Sequence, residues 1–143
     1  MKLSESKLNL AAIDTGVWIK DPADDDGFAV LVKGRRSKDY QRAQGAALAK
    51  ARKASRKREI DVATLQQMDS ELVGKYCLLD WKNLVDDNGQ SIPYTSELAK
   101  KLMEDREYGL FQEFVKYAVD RVDENDLEDV EEIKGNSVPS STI

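Results

Sequence analysis

The chain has no histidine and a single cysteine, Cys77, among its 143 residues. Together these shortages remove a large part of enzyme chemistry. Without histidine, the commonest general base and metal ligand is missing. Zinc fingers are excluded, and neither a Ser-His nor a Cys-His nucleophile pair can form within the chain. Cys77 cannot close an internal disulfide; it falls inside a helical pattern and reads as a small core residue in a reducing compartment. The phosphate-cradling patterns G-x-x-x-x-G-K-[ST] and G-x-G-x-x-G are also absent. An enzyme built from this chain is left with carboxylates, lysines and tyrosines, so a non-enzymatic role without cofactors is the expectation.

Long apolar runs are missing too. None approaches the roughly 20 residues that span a bilayer. The start, Met1-Lys2-Leu3-Ser4-Glu5-Ser6, is polar and lacks the apolar centre of a signal peptide. Hydrophobic residues make up 41% and charged residues 34%, an apolar-poor balance for one domain with a solvated tail. These features predict a soluble intracellular protein with no membrane partner.

What is present is charge, unevenly placed. The net charge of -5 conceals eleven Lys/Arg between residues 33 and 58 against one acid, Asp39. Between residues 120 and 132 the balance reverses to eight acids and one base, Arg121. Such polarity points to opposed interaction surfaces, self-association or a basic face for a partner.

Periodicity supplies the elements. Val17 to Lys20 and Phe28 to Lys33 alternate around an Asp/Pro/Gly turn and predict a hairpin. Two strands alone are marginal in water, so the hairpin must pack on something or pair with another chain. From Ser37 to Lys57 the composition is strongly helix-forming, and Tyr40, Ala43, Ala47, Ala51 and Ala54 make a narrow stripe of mostly small residues. Most of the basic side chains fall on the other faces. Asp61 is placed to cap a helix running to Leu79 or Trp81, with Val62, Leu65, Met68, Leu72, Tyr76 and Leu79 as its apolar face. This is the strongest core pattern. Thr95 caps a third helix carrying Leu98 and Leu102, and Tyr108, Phe111, Val115, Ala118 and Val122 mark a fourth.

The acidic turns Asp24-Asp25-Asp26-Gly27 and Asp86-Asp87-Asn88-Gly89 invite a calcium reading. With glycine at position six of an EF-hand loop, the end ligands would be Pro22 and Lys33, or Leu84 and Thr95. Both loops fail at their ends, and turn chemistry explains the residues better. The adjacent acids Asp86/Asp87 and Glu104/Asp105 show nothing of the buried pocket that would separate their pKa values into acid and base roles. The basic helix has the charge to contact phosphates, but no helix-turn-helix or aromatic RNA-binding stripe accompanies it. The candidate protein-binding residues are Arg42, Lys50, Arg52, Lys53, Arg56 and Lys57 on that helix, with Trp81 and Tyr94 around the later turn. For Trp81 a core or hinge anchor is the commoner role, an interface anchor the rarer.

The stretch "DWKNLVDDNGQSIPYTSELAKKLMEDREYGLFQEFVKYAVD" carries a resemblance. Trp81, Asp86 to Gly89, Pro93 to Thr95, Glu97, Leu98, Leu102 and Phe111 resemble the C-terminal half of the tail assembly chaperones of long-tailed phages and prophages. The likeness covers residues 74 to 122. That family pattern has a tryptophan near a helix end, an acidic turn with glycine, a Pro-aromatic-Thr/Ser-x-Glu helix start and two further helices. It implies a chaperone of tail morphogenesis that acts in the host cell cytoplasm and is absent from the mature virion. The implied partners are the tail tape measure protein, the tail tube protein, further copies of itself and a frameshifted longer form. Two other readings stand beside it: a small nucleic-acid-binding or regulatory protein using residues 33–58, and a structural subunit of the virion.

The predicted fold is α+β: a mainly α-helical domain with a small N-terminal β-hairpin and a disordered acidic C-terminal tail. Residues 1–16 are expected to be a flexible N-terminus. Residues 17–122 form one domain, with the hairpin at 17–33, the basic helix at 37–58 and a helical core at 61–122. Residues 123–143 are the tail.

Overall fold

A computed structural model describes residues 1–56 and 59–127. The expected disorder of the acidic tail therefore falls, from residue 128 onward, outside the described residues. After a short 3₁₀ turn at Leu3–Ser6 the order is α1 (Leu10–Thr15), β1 (Val17–Lys20), β2 (Ala29–Val32), α2 (Lys38–Ala54) and α3 (Val62–Leu72). Then come β3 (Leu78–Lys82), α4 (Ser96–Glu104) and α5 (Gly109–Asp123). The α+β class holds, with helices outweighing one small sheet.

The sheet is antiparallel in the order β1-β2-β3. Val17, Ile19, Val30, Val32, Leu78 and Trp81 are all buried, and pairing sets Ile19 beside Val30 and Val30 beside Trp81. The β1–β2 connection is built from acidic side chains acting as turn formers. Asp21 accepts the Ala23 amide, and Asp24 accepts the Phe28 amide at 2.8 Å. The hairpin is as expected, but its partner is not. The preceding helix was expected to run on to Leu79 or Trp81, and instead Leu78–Lys82 forms the third strand.

The reason lies at the end of α3. The helix widens into a π-turn over Val73–Cys77, which shifts the phase of the apolar pattern and releases the chain into extended geometry at Leu78. Gly74 lets α4 pack closely against this turn, since a Cβ there would stand 2.8 Å from the Cβ of Met103. Strand β2 is central, with Ala29, Val30 and Val32 fully buried, and β3 satisfies its second edge. Tertiary demand overrides the helical periodicity at Leu78 and Leu79.

Three further expectations change. Residues 1–16 are not all a flexible arm. Asn9 caps α1 by accepting the Ala12 amide, and α1 buries Ala12 and Ile13. The predicted best core helix is α3, yet its Val62 and Leu65 stand 67% and 39% exposed, and its single buried residue is Ser70. The core helix is α5, where Val115, Ala118, Val119 and Val122 are fully buried. Each such valine contributes about 1.5–3 kcal/mol of apolar burial. Finally, Asp123 is the last residue of α5 and Leu127 is buried, so the folded chain runs past residue 122. Arg121, also buried, holds this end by donating to the Asp126 carbonyl at 2.9 Å. Thr95 caps α4 as expected, accepting the Leu98 amide at 3.0 Å.

Candidate protein-binding cleft

Helix α2 is attached to the body by little buried area and by a polar knot at its start. Of its 17 residues only Tyr40 is buried. Ala43, Ala47 and Ala51 are half-buried behind it, so the small-residue stripe turns inward except at Ala54, which is exposed at the end of the helix. The Tyr40 hydroxyl donates to Asp69 of α3, and Arg35 grips the same carboxylate with Nε and a terminal nitrogen, both at 2.8 Å. Lys116 of α5 lies 3.7 Å from it, and Arg35 reaches on to Asp120. Asp123 accepts the Arg35 and Arg36 amides at 2.9 and 3.0 Å, tying the end of α5 to the chain just ahead of α2.

The electrostatics follow from that geometry. Burial acts to raise the Asp69 pKa. The hydrogen bonds from Arg35 and Tyr40 and the charges of Arg35 and Lys116 outweigh it, and the carboxyl is held below the usual carboxylate range. Burial, then the bond to Asp69, pushes the Tyr40 phenol up. Burial likewise pushes the Cys77 thiol up to about 12, leaving it an unreactive core group.

Between α2, α3, the end of α4 and the start of α5 lies an open cleft of about 1350 Å³. Small residues form much of its wall: Ala47, Ala51 and Ala54 from α2, Ala63 from α3 and Gly109 from α5. Met68 adds a pliable apolar surface. Gln67 binds the Glu104 carbonyl, and Gln112 binds the Leu102 and Asp105 carbonyls, so the base is stitched across α3, α4 and α5. Lys50, Arg106 and Lys116 line it together with Glu71, Glu104 and Glu113, a balanced set of charges. Sequence reasoning did not find this cleft. The alanine stripe on α2 was its one visible trace.

The residues singled out beforehand separate into two groups. Arg42, Lys50, Arg52, Lys53 and Arg56 are exposed on or just beyond α2, and Lys50 also lines the cleft. Lys57 lies outside the described residues. Trp81 and Tyr94 are elsewhere. Trp81 is 4% exposed, donates to the Ile92 carbonyl at 2.8 Å and meets Tyr94 edge-on, with ring centroids 5.0 Å apart. Phe111 packs against its other side at 5.8 Å. Trp81 is thus a core anchor that pins the 83–95 turn, and its ring offers no outer surface. Tyr94 is half-buried and reaches the Leu78 carbonyl.

The acidic turns serve backbone geometry. Asp86 accepts the Asn88 and Gln90 amides, and Gly89 takes a φ of 79°. Among the described residues no group of three or more Cys, Asp or Glu is arranged to hold a metal ion, and no helix is long and apolar enough to cross a membrane.

A model of the family described as YdaY prophage protein matches residues 35–136. This span holds Arg35, all of α2, the cleft and the end of the described chain, while α1, β1 and β2 precede it. No curated protein and no solved structure matches. The chain belongs to the YdaY prophage protein family.

Proposed function

We propose that this prophage protein is a non-enzymatic tail assembly chaperone. It binds the tail tape measure protein and helps recruit tail tube subunits in the host cytoplasm, and it does not remain in the finished virion. Membership in a prophage family supports the phage setting, and the likeness of residues 74–122 to tail assembly chaperones supports the role. The observation that carries the reading is the cleft. It is walled by alanine and glycine, which let a helix of about 10 Å diameter approach closely, and it is rimmed by three acids and three bases that suit a mixed-charge helical client.

Co-expression with the tape measure protein from the same prophage tests this. The client is expected to shift from the insoluble to the soluble fraction and to co-purify with the chaperone. Ala51→Trp narrows the cleft from its α2 wall and is expected to abolish that rescue with helix content by circular dichroism unchanged. A client that stays insoluble beside the parent chain overturns the proposal. Rescue by Ala51→Trp at the parental level overturns the cleft as its seat.

A second reading has its own observation: Arg42, Arg52, Lys53 and Arg56 are all exposed, a phosphate-compatible surface. A salt-dependent shift of a DNA or RNA probe, lost when Arg52 and Lys53 are neutralised, favours that reading. Mass spectrometry of purified particles separates a chaperone from a virion subunit.

A further inference from the structure

The outward face of α2 is a different surface from the cleft. Taking 100° per residue from Lys38, the inward stripe of Tyr40, Ala43, Ala47 and Ala51 lies on one side of the helix. Lys38, Arg42, Arg52 and Lys53 lie on the opposite side, with Gly45 and Ala49 between them. Apart from Asp39, no acid lies on α2. Among the described residues, nothing is packed on this face: Lys38, Arg42, Gly45, Ala49, Arg52 and Lys53 are all exposed.

The same chain carries the complementary segment. Residues 128–133 read Glu-Asp-Val-Glu-Glu-Ile, four acids flanking Val130 and followed by Ile133. Their attachment point is defined. Asp123 is bonded to the Arg35 and Arg36 amides, and the buried Leu127 follows four residues later, so the acidic run leaves the body near the first turn of α2. At about 3.4 Å per residue its last acid, Glu132, lies no more than roughly 17 Å from Leu127. Arg52 stands about 21 Å along the helix axis from Lys38. Within one chain the run begins on the Lys38 and Arg42 side, and only close to full extension could its last acids approach Arg52 and Lys53. A run arriving from another molecule carries no such tether.

We propose that the acidic segment 128–133 of one copy docks on the outward basic face of α2 of a second copy. Its acids pair with Arg52 and Lys53, and Val130 sits over the small residues Gly45 and Ala49, where backbones can approach closely. The contact is heterologous, with a different surface on each side, so it propagates head to tail until a ring closes or a filament forms. This goes beyond the chaperone reading, because it requires no client and uses a face other than the cleft.

The test uses the full chain in sedimentation velocity at low and high salt. The parent is expected to self-associate at low salt and to dissociate as salt screens the pairs. Two charge-reversal variants are made, Arg52→Glu with Lys53→Glu, and Glu131→Lys with Glu132→Lys. Each alone is expected to associate at least about tenfold more weakly than the parent. An equimolar mixture is expected to recover association, because each variant then supplies the charge that the other lacks. A parent that is monomeric at low salt overturns the proposal, as does a mixture that behaves like its two components. A monomeric parent whose Lys38 becomes more reactive to an amine reagent after Glu131→Gln and Glu132→Gln also overturns it, placing the run on its own α2 instead.

Discussion

Helices α2 and α5 are of similar length, 17 and 15 residues, and are held by different physics. Helix α5 buries Val115, Ala118, Val119, Arg121 and Val122 and runs under the sheet and against α4. Helix α2 buries Tyr40 and little else. The first exists because the core requires it. The second exists because alanine, lysine and arginine favour helix, because Arg52 and Lys53 stand near its negative end, and because one polar knot fastens its start. The consequence is functional: the side of the molecule with little burial is the side left with surface to offer.

The comparison can be broken most severely on the packed side. Trp81→Ala removes a ring that touches Tyr94 and Phe111 and anchors the 83–95 turn. A loss of about 3–5 kcal/mol is expected in chemical denaturation. A loss under about 1 kcal/mol there contradicts the division.

Asp69→Asn strikes the knot between the two sides. With Arg35 and Tyr40 left with a weaker acceptor, a loss of about 1–3 kcal/mol at neutral pH is expected. The sign with pH follows from the depressed Asp69 pKa. Its contribution is present above the unfolded carboxylate value of about 3.9 and is lost as pH falls through the lower folded value. The gap between parent and variant is therefore expected to close in acid. A gap that widens there refutes the pairing.

The smallest effect sharpens the comparison from the open side. Gly45 sits in mid-α2 with nothing within 4 Å of the position a Cβ would occupy. Gly45→Ala is expected to stabilise by about 0.5–1 kcal/mol through helix propensity alone. Amide hydrogen exchange is expected to slow in α2 and stay unchanged in α5. Equal slowing in both means that the two helices open as one unit.

Much of the fold was legible. The β1–β2 hairpin, the caps at Asp61 and Thr95, and the inward alanine stripe of α2 all rest on interactions a few residues apart. Strand β3 was not legible, since Leu79 continues the helical period of Leu72 and Tyr76 and only the open edge of β2 requires Leu78–Lys82 to be extended. The relative burial of α3 and α5 was not legible either. Both carry good apolar stripes, and the one that packs is the one lying against the sheet. Of the candidate surface, the basic residues of α2 were found by charge alone. The cleft beside them needs four helices from distant parts of the chain. Trp81 and Tyr94 were set together correctly, but for the core.

By itself the sequence determined what is local and what is summed. It settled the helical character of residues 38–54, the acidic turns as turns, and the opposition of a basic segment to an acidic one. Periodicity, capping and charge are properties of neighbouring residues. The tertiary structure decided which apolar stripe became the core, where a helix gave way to a strand, and that an Arg35–Asp69–Tyr40 knot holds α2 beside an open cleft. Those outcomes depend on contacts between residues dozens of positions apart. Their free energy exists only once the chain has closed on itself.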